Sequence, residues 1–340
     1  MKPEMLALLG KTTALMENLG YLWVVCTGFE LNLWRELATV HSLEDLLQVH
    51  PTWDSTLLEH WLEAGCSLGL LSYNNGGYRT SKLGQAVEEY RLSGLEALYA
   101  ELLRHWNPKF ACLPGLLSGQ EPKAPLAQEM ESELVSQASL ASEPFIWPFL
   151  QARCREEKWQ RVLDVGCGEG HYLRQLAAGF PSLTGVGIEL NAQVAARAHD
   201  NTAQYAGRIN ILHGNVLALS GQLALAAPFD ACLLNNNIYY FASDQRLYLL
   251  LLLKRLLRPG GHVLIISAIR AAKSPNRPFR TQVPQNLMSF FLACHRGFQG
   301  LPRADEITEL LRVSGYVAIE SNPLPFYISY YFAARTPVSQ

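Results

Sequence analysis

The chain has 340 residues, 49% of them hydrophobic and 17% charged, which favours more than one domain, leaves ample apolar side chain for cores and rules out disorder over most of its length. With 28 Lys and Arg against 30 Asp and Glu, the formal charge of -2 gives no global electrostatic footprint for nucleic acid or an anionic membrane. Cys26, Cys66, Cys112, Cys154, Cys167, Cys232 and Cys294 are odd in number and widely spread, so neither a disulfide framework nor a metal knuckle is expected. Met1-Lys2-Pro3-Glu4 does not open a signal peptide, and the aliphatic run Leu247–Leu253 is too short to span a bilayer. A cytoplasmic protein without a metal is the expectation.

In chain order, residues 1–105 read as mostly helical. Leu33, Leu37, Leu43, Leu46 and Leu47 recur at helical spacing, with Ser42 and Asp45 placed to cap a helix start. Asp54-Ser55-Thr56 opens another helix with the stripe Leu57, Leu58, Trp61, Leu62. Leu70–Tyr73 and Tyr78–Thr80 flank Asn74-Asn75-Gly76-Gly77 as a hairpin. Three helices followed by a hairpin predict a winged helix. Its third helix carries Asp54, Glu59 and Glu63 but no Lys or Arg, so phosphates would repel it. The module reads as a packing or dimerisation element, with Trp23, Trp34 and Trp61 in core or dimer contacts, and not as a nucleic-acid reader.

Residues 106–158 form a proline-rich connector with one helix near Leu126 to Leu140. From residue 159 to 340, strands at Arg161–Val165, Leu183–Ile188, Ile209–Leu212, Phe229–Leu234 and His262–Ser267 alternate with helices. That alternation predicts a Rossmann-like, doubly wound, mostly parallel α/β sheet. Tyr316–Glu320 and Phe326–Ala334 add an antiparallel C-terminal pair.

The chemistry concentrates where the first of those strands runs into Gly166-Cys167-Gly168-Glu169-Gly170 and then a helix over Tyr172–Ala178. Glycines at 166 and 168 let a ligand approach the backbone, and a helix start presents free N–H groups to it. The spacing is GxGxG, unlike the GxGxxG of dinucleotide sites, and Asp164 precedes it, which suits a cationic amino group better than a phosphate. Glu189 ends the next strand, where a carboxylate can accept two bonds from the vicinal hydroxyls of a ribose.

These residues resemble the class I S-adenosylmethionine-dependent methyltransferases from about Gln160 onward. Asp164, Gly166, Gly168 and Gly170 are similar to the family's first motif and Glu189 to its ribose-binding acid. Asn215, followed by Val216, stands where the family has an acid that meets adenine. Phe229-Asp230-Ala231 and Leu257-Arg258-Pro259-Gly260-Gly261 resemble its fourth-strand entry and the turn before its fifth strand. Together with the N-terminal module, the chain resembles the dimeric small-molecule O-methyltransferases.

The resemblance implies S-adenosyl-L-methionine as cofactor, a small organic acceptor, a homodimer built through residues 1–105, and a place in secondary metabolism. The resemblance favours O-methylation, but because the family's catalytic histidine is replaced by Asn235-Asn236-Asn237-Ile238-Tyr239-Tyr240, N- or C-methylation stays open. Asn235 is assigned to the cofactor, Asn236 and Tyr239 to the acceptor, and Asn237, Tyr240 and His295 to catalysis. His171 and His262 are weaker candidates. Two rivals remain at this point: a non-catalytic S-adenosylmethionine-binding or transcription-regulating protein, and a nicotinamide oxidoreductase.

Overall fold

The computed structural model describes residues 2–270, 283–298, 300–324 and 329–338. Contacts divide the chain into two units, Met1–Pro108 and Lys109–Gln340.

The first unit opens with a 28-residue helix, α1 (Pro3–Glu30), whose Pro3 occupies the first turn, where a missing N–H costs nothing. Next come α2 (Leu33–Glu36) and α3 (Leu43–Val49). Ser42 accepts from Asp45 N at 3.1 Å and Asp45 returns the bond to Ser42 N at 2.8 Å, a complete capping box at the predicted place. Asp54 caps α4 (Ser55–Ser67) through Leu57 N at 2.9 Å. The hairpin is β1 (Leu71–Asn74) paired with β2 (Gly77–Thr80), with His41 bridging to Tyr78, and α5 (Lys82–Glu89) and α6 (Leu95–Glu101) complete the unit. Phe29, Leu33, Trp34, Leu37, Leu46 and Leu62 are fully buried at its centre, while Trp23 is half exposed on α1.

The connector is more helical than its prolines suggest: α7 (Asn107–Ala111), α8 (Leu113–Ser118), α9 (Leu126–Glu129), α10 (Ser132–Ala138) and α11 (Glu143–Glu156). The single helix expected over Leu126 to Leu140 is broken at Met130, whose backbone is extended at φ -116° and ψ 131°. Pro144 sits in the first turn of α11, so there it starts a helix where the sequence reading saw a linker.

The sheet contains β3 (Arg161–Val165), β4 (Thr184–Glu189), β5 (Ile209–His213), β6 (Phe229–Asn235), β7 (Leu257–Ser267), β8 (Val317–Pro323) and β9 (Tyr330–Arg335), in the order β5-β4-β3-β6-β7-β9-β8. Neighbours are parallel from β5 to β7, and β9 is antiparallel to both β7 and β8. The last strand therefore inserts inside the sheet and leaves exposed β8 at the edge, because β9 carries buried Phe332 and Ala334 while β8 is solvated along nearly its whole length. Phe326, the expected start of that strand, lies outside the described residues.

Helices α12 (His171–Gly179), α13 (Ala192–Thr202), α14 (Ser220–Ala226), α15 (Ser243–Leu256), α16 (Val283–Ala293) and α17 (Ala304–Val313) complete the unit. One core joins β3, β6 and β7 to α15 and α17 through Leu163, Leu249, Leu253 and Ile307; the other joins the sheet to α11, α12 and α13 through Leu150, Leu173 and Ala198. The chain leaves β3 toward β4 on one side and reaches β6 on the other, so the carboxyl end of β3 lies at the topological switch point where open α/β sheets hold ligands.

Candidate active site at the carboxyl end of the sheet

The turn after β3 is held in the left-handed conformation at Gly166 (φ 67°), Gly168 (φ 54°) and Gly170 (φ 77°), which only glycine adopts without strain. Its backbone is tied inward. Gly166 N and Cys167 N both donate to Ile188 O at 2.8 and 3.0 Å, Gly168 N to Glu189 Oε2 at 3.1 Å, and Gly170 N to Cys167 O at 3.0 Å. The free N–H groups expected from the sequence belong to the start of the next helix, not to this turn. The four in the turn are spent on the protein, because each is needed to fold three left-handed glycines into one tight turn.

Asp164 is the outlier. It is fully buried, and neither carboxylate oxygen has a partner among the described residues. Burial, with the Glu189 charge adding to it, pushes its carboxyl up to about 8. Ordinary folding removes such a group or pairs it, so an unpartnered buried carboxylate points to an absent cationic partner. Glu189 has one oxygen on Gly168 N and the other on Asn191 N at 2.9 Å, each retaining lone pairs for a further donor.

Around these two acids the other candidates fall into groups. Asn215 Oδ1 accepts from Leu217 N at 2.9 Å, closing its own turn, and Val216 has its side chain buried in the core, leaving its backbone as the part that can meet a ligand. Asn235, at the end of β6, has both side-chain polar atoms buried with no partner among the described residues. Asn236 is the left-handed residue of the following turn (φ 51°) and donates its N–H to Ile266 O at 2.7 Å. Asn237 is buried and donates Nδ2 to Val165 O, stitching the end of β3 to the turn after β6. Tyr239 is buried in a short 3-10 turn, and Tyr240 is 39% exposed, its ring edge-on to Phe298 at 6.2 Å.

His295 follows α16 and has a fully buried side chain. Nδ1 lies 2.9 Å from Phe291 O; Nε2 is 3.0 Å from Glu129 Oε2 but off the line of a good hydrogen bond, and Glu129 also binds Lys109. Burial lowers its basicity. His171 meets Glu143 at 2.6 Å, and His262 is engaged by Trp159 Nε1 at 3.2 Å near the opposite end of the sheet. Sequence reasoning missed Ser136 and Arg197. Ser136 Oγ would stand 2.7 Å from a side chain placed on Gly168, and Arg197 bridges Glu133 and Glu169 at 3.0 and 2.9 Å.

Residues 162–261 match the methyltransferase-domain family. That stretch of the chain is a methyltransferase domain. An O-methyltransferase of Aspergillus nomiae is 29% identical over 171 residues, covering 49% of this chain and 69% of that protein. A trans-aconitate 2-methyltransferase of Deinococcus radiodurans is 36% identical over 76 residues, 22% of this chain, and the chain spans only 28% of that relative's length. The solved human N-acetylserotonin methyltransferase, in complex with S-adenosylmethionine, has a similar fold (TM-score 0.70, 16% identity) over 99% of both chains. The methyltransferase domain is thus the part of the chain that contains Asp164, the glycine turn, Glu189 and the Asn235–Tyr240 segment. The two acids fit that cofactor, an orphaned buried carboxylate for an ammonium and a second acid for hydroxyls, while the space expected to be open beside Gly166 and Gly168 is taken by Asn237 Nδ2 and Ser136 Oγ, 2.5 and 2.7 Å from where side chains would begin.

Proposed function

We propose that the protein methylates a small organic acceptor, with oxygen the favoured nucleophile and secondary metabolism its setting. The bound cofactor would supply a sulfonium-activated methyl group, and the protein's task is to bind, orient and exclude water. Asp164 would receive the ammonium of the methionine end, the glycine turn the chain beside it, Glu189 the ribose, and Asn215 with the backbone of Val216 the adenine. Asn235 faces the cofactor side, while Asn236, Tyr239 and Tyr240 belong to the acceptor side. Asn237 and His295, both buried and engaged, would act by positioning. The single observation carrying this reading is the fully buried, unpartnered Asp164 carboxylate.

Calorimetry with S-adenosylhomocysteine tests it. Binding should occur and weaken at least tenfold in Glu189→Ala; unchanged affinity in that variant removes the ribose assignment, and no binding to the native protein removes the reading altogether.

We further propose the organisation 1–105, 106–158 and 159–340 as a winged-helix dimerisation module, a helical linker and the catalytic domain. Met5, Leu8, Leu9, Met16 and Trp23 are each at least half exposed along α1, which is more apolar surface than a lone helix leaves in water. A second copy of the chain covers it in this reading. Sedimentation should show a dimer that Leu8→Glu with Met16→Glu dissociates. The seven free cysteines support a cytoplasmic location.

A further inference from the structure

The methionine end of the cofactor carries two charges, and Asp164 answers only one of them. A carboxylate needs donors, yet the N–H groups of Gly166, Cys167, Gly168 and Gly170 already serve Ile188, Glu189 and Cys167. Its recognition must therefore draw on donors from beyond those four groups. The segment from Glu133 to Glu143 runs beside this turn and is strapped at both ends. At one end Arg197 joins Glu133 to Glu169 of the turn, while Asn201 Nδ2 donates to Glu169 O at 3.1 Å. At the other, Glu143 pairs with His171 and accepts from Gln175, both on α12. Between the straps stands Ser136, its hydroxyl 2.7 Å from where a Gly168 side chain would begin. Arg197 also keeps Nη2 buried without a partner among the described residues, so spare positive donor capacity sits beside the same turn.

We propose that the Ser136 hydroxyl binds the carboxylate of the cofactor's methionine end, and that the Glu133–Arg197–Glu169 clip is the positioning element that holds α10 over the glycine turn. The inference deepens the cofactor reading and rests on it. It makes the absence of a side chain at Gly168 a requirement of Ser136 as well as of the turn's left-handed backbone.

The test uses two ligands that share the adenosyl group and differ in the amino-acid end: S-adenosylhomocysteine and 5′-methylthioadenosine, titrated into the full chain. Ser136→Ala should weaken S-adenosylhomocysteine about tenfold, the scale of one hydrogen bond to a charged group, and leave 5′-methylthioadenosine unchanged. Ser136→Thr, which keeps the hydroxyl, should recover most of the loss. Arg197→Gln should weaken the same ligand, and adding Ser136→Ala to it should cost less than in the native background, since both act through one contact. Equal losses for the two ligands, or no loss for S-adenosylhomocysteine, overturn the assignment of Ser136. Failure of both ligands to bind the native chain would instead count against the cofactor reading, and Glu189→Ala, expected to weaken both, separates the two outcomes.

Discussion

The turns that close β3 and β6 sit side by side at the same end of the sheet, and they handle polar groups in opposite ways. After β3, the protein spends its backbone N–H groups on itself and leaves the Asp164 carboxylate without a partner. After β6, Asn236 supplies the left-handed backbone and Asn237 uses its Nδ2 to hold Val165 O while its Oδ1 stays without a partner; Asn235 has both side-chain polar atoms unsatisfied among the described residues. The lesson is that residue type marks a polar site, whereas the state of its hydrogen bonds separates ligand-facing groups from structural ones.

The largest expected effect breaks that comparison at Asp164. Replacing it with Asn should weaken S-adenosylhomocysteine by about a hundredfold or more, through loss of a charged hydrogen-bond partner, while making the ligand-free protein more stable at pH 8. The sign follows from the raised carboxyl. Its folded pKa of about 8 lies above the unfolded value of 3.8, so the folded state holds the extra proton between them. That contribution is fully present below pH 4 and is lost as pH rises toward 8. Urea unfolding of the native ligand-free chain should show stability falling across this window, by an amount of order a few kcal/mol, and Asp164→Asn should flatten the fall. A native profile without that decline would mean the carboxylate is already paired.

Asn237 is the opposite case. Asn237→Ala leaves Val165 O without its donor at a buried strand end and should destabilise the protein by about 1–3 kcal/mol in urea titration. Cofactor affinity should change less than in Asp164→Asn. A stability unchanged within error, with turnover lost, would return Asn237 to direct catalysis.

How much of this was legible in the sequence depends on range. Glycines before a helix and an acid ending the neighbouring strand are local signals, so Asp164, Gly166, Gly168 and Glu189 could be named together, and the alternation after residue 159 gave the parallel sheet. The segment from Leu126 to Glu143 was opaque. One helix was expected over Leu126 to Leu140, yet Met130 breaks it, and the segment's tie to the turn is made by Arg197 and His171, which no local pattern links to Glu133 or Glu143. His295 was illegible for the same reason: its type suggests a base, but its burial against α16 and Glu129 appears only once the chain is folded.

His295 should therefore give a smaller, structural response. Its basicity is lowered by burial, so its folded pKa lies below the unfolded value. The corresponding stability is present above pH 6.5 and is lost as pH falls toward the folded pKa. Thermal melts from pH 7.5 to 5 should show a decline that His295→Asn removes, at a loss of about 1 kcal/mol at neutral pH from the missing bond to Phe291 O. A catalytic base would instead abolish turnover with stability unchanged.

Tyr240 sets the lower limit. It is 39% exposed and meets Phe298 edge-on through its ring, which phenylalanine keeps. Tyr240→Phe should thus alter stability by less than about 0.5 kcal/mol and leave S-adenosylhomocysteine affinity untouched. What it removes is one hydroxyl that the proposed function puts on the acceptor side, so the expected change is a few-fold loss confined to kcat/KM for the acceptor. If that hydroxyl took the acceptor's proton, the loss would reach a hundredfold or more and fall on kcat. The same variant thereby distinguishes an acceptor that arrives ready to attack from one that the turn after β6 must first deprotonate.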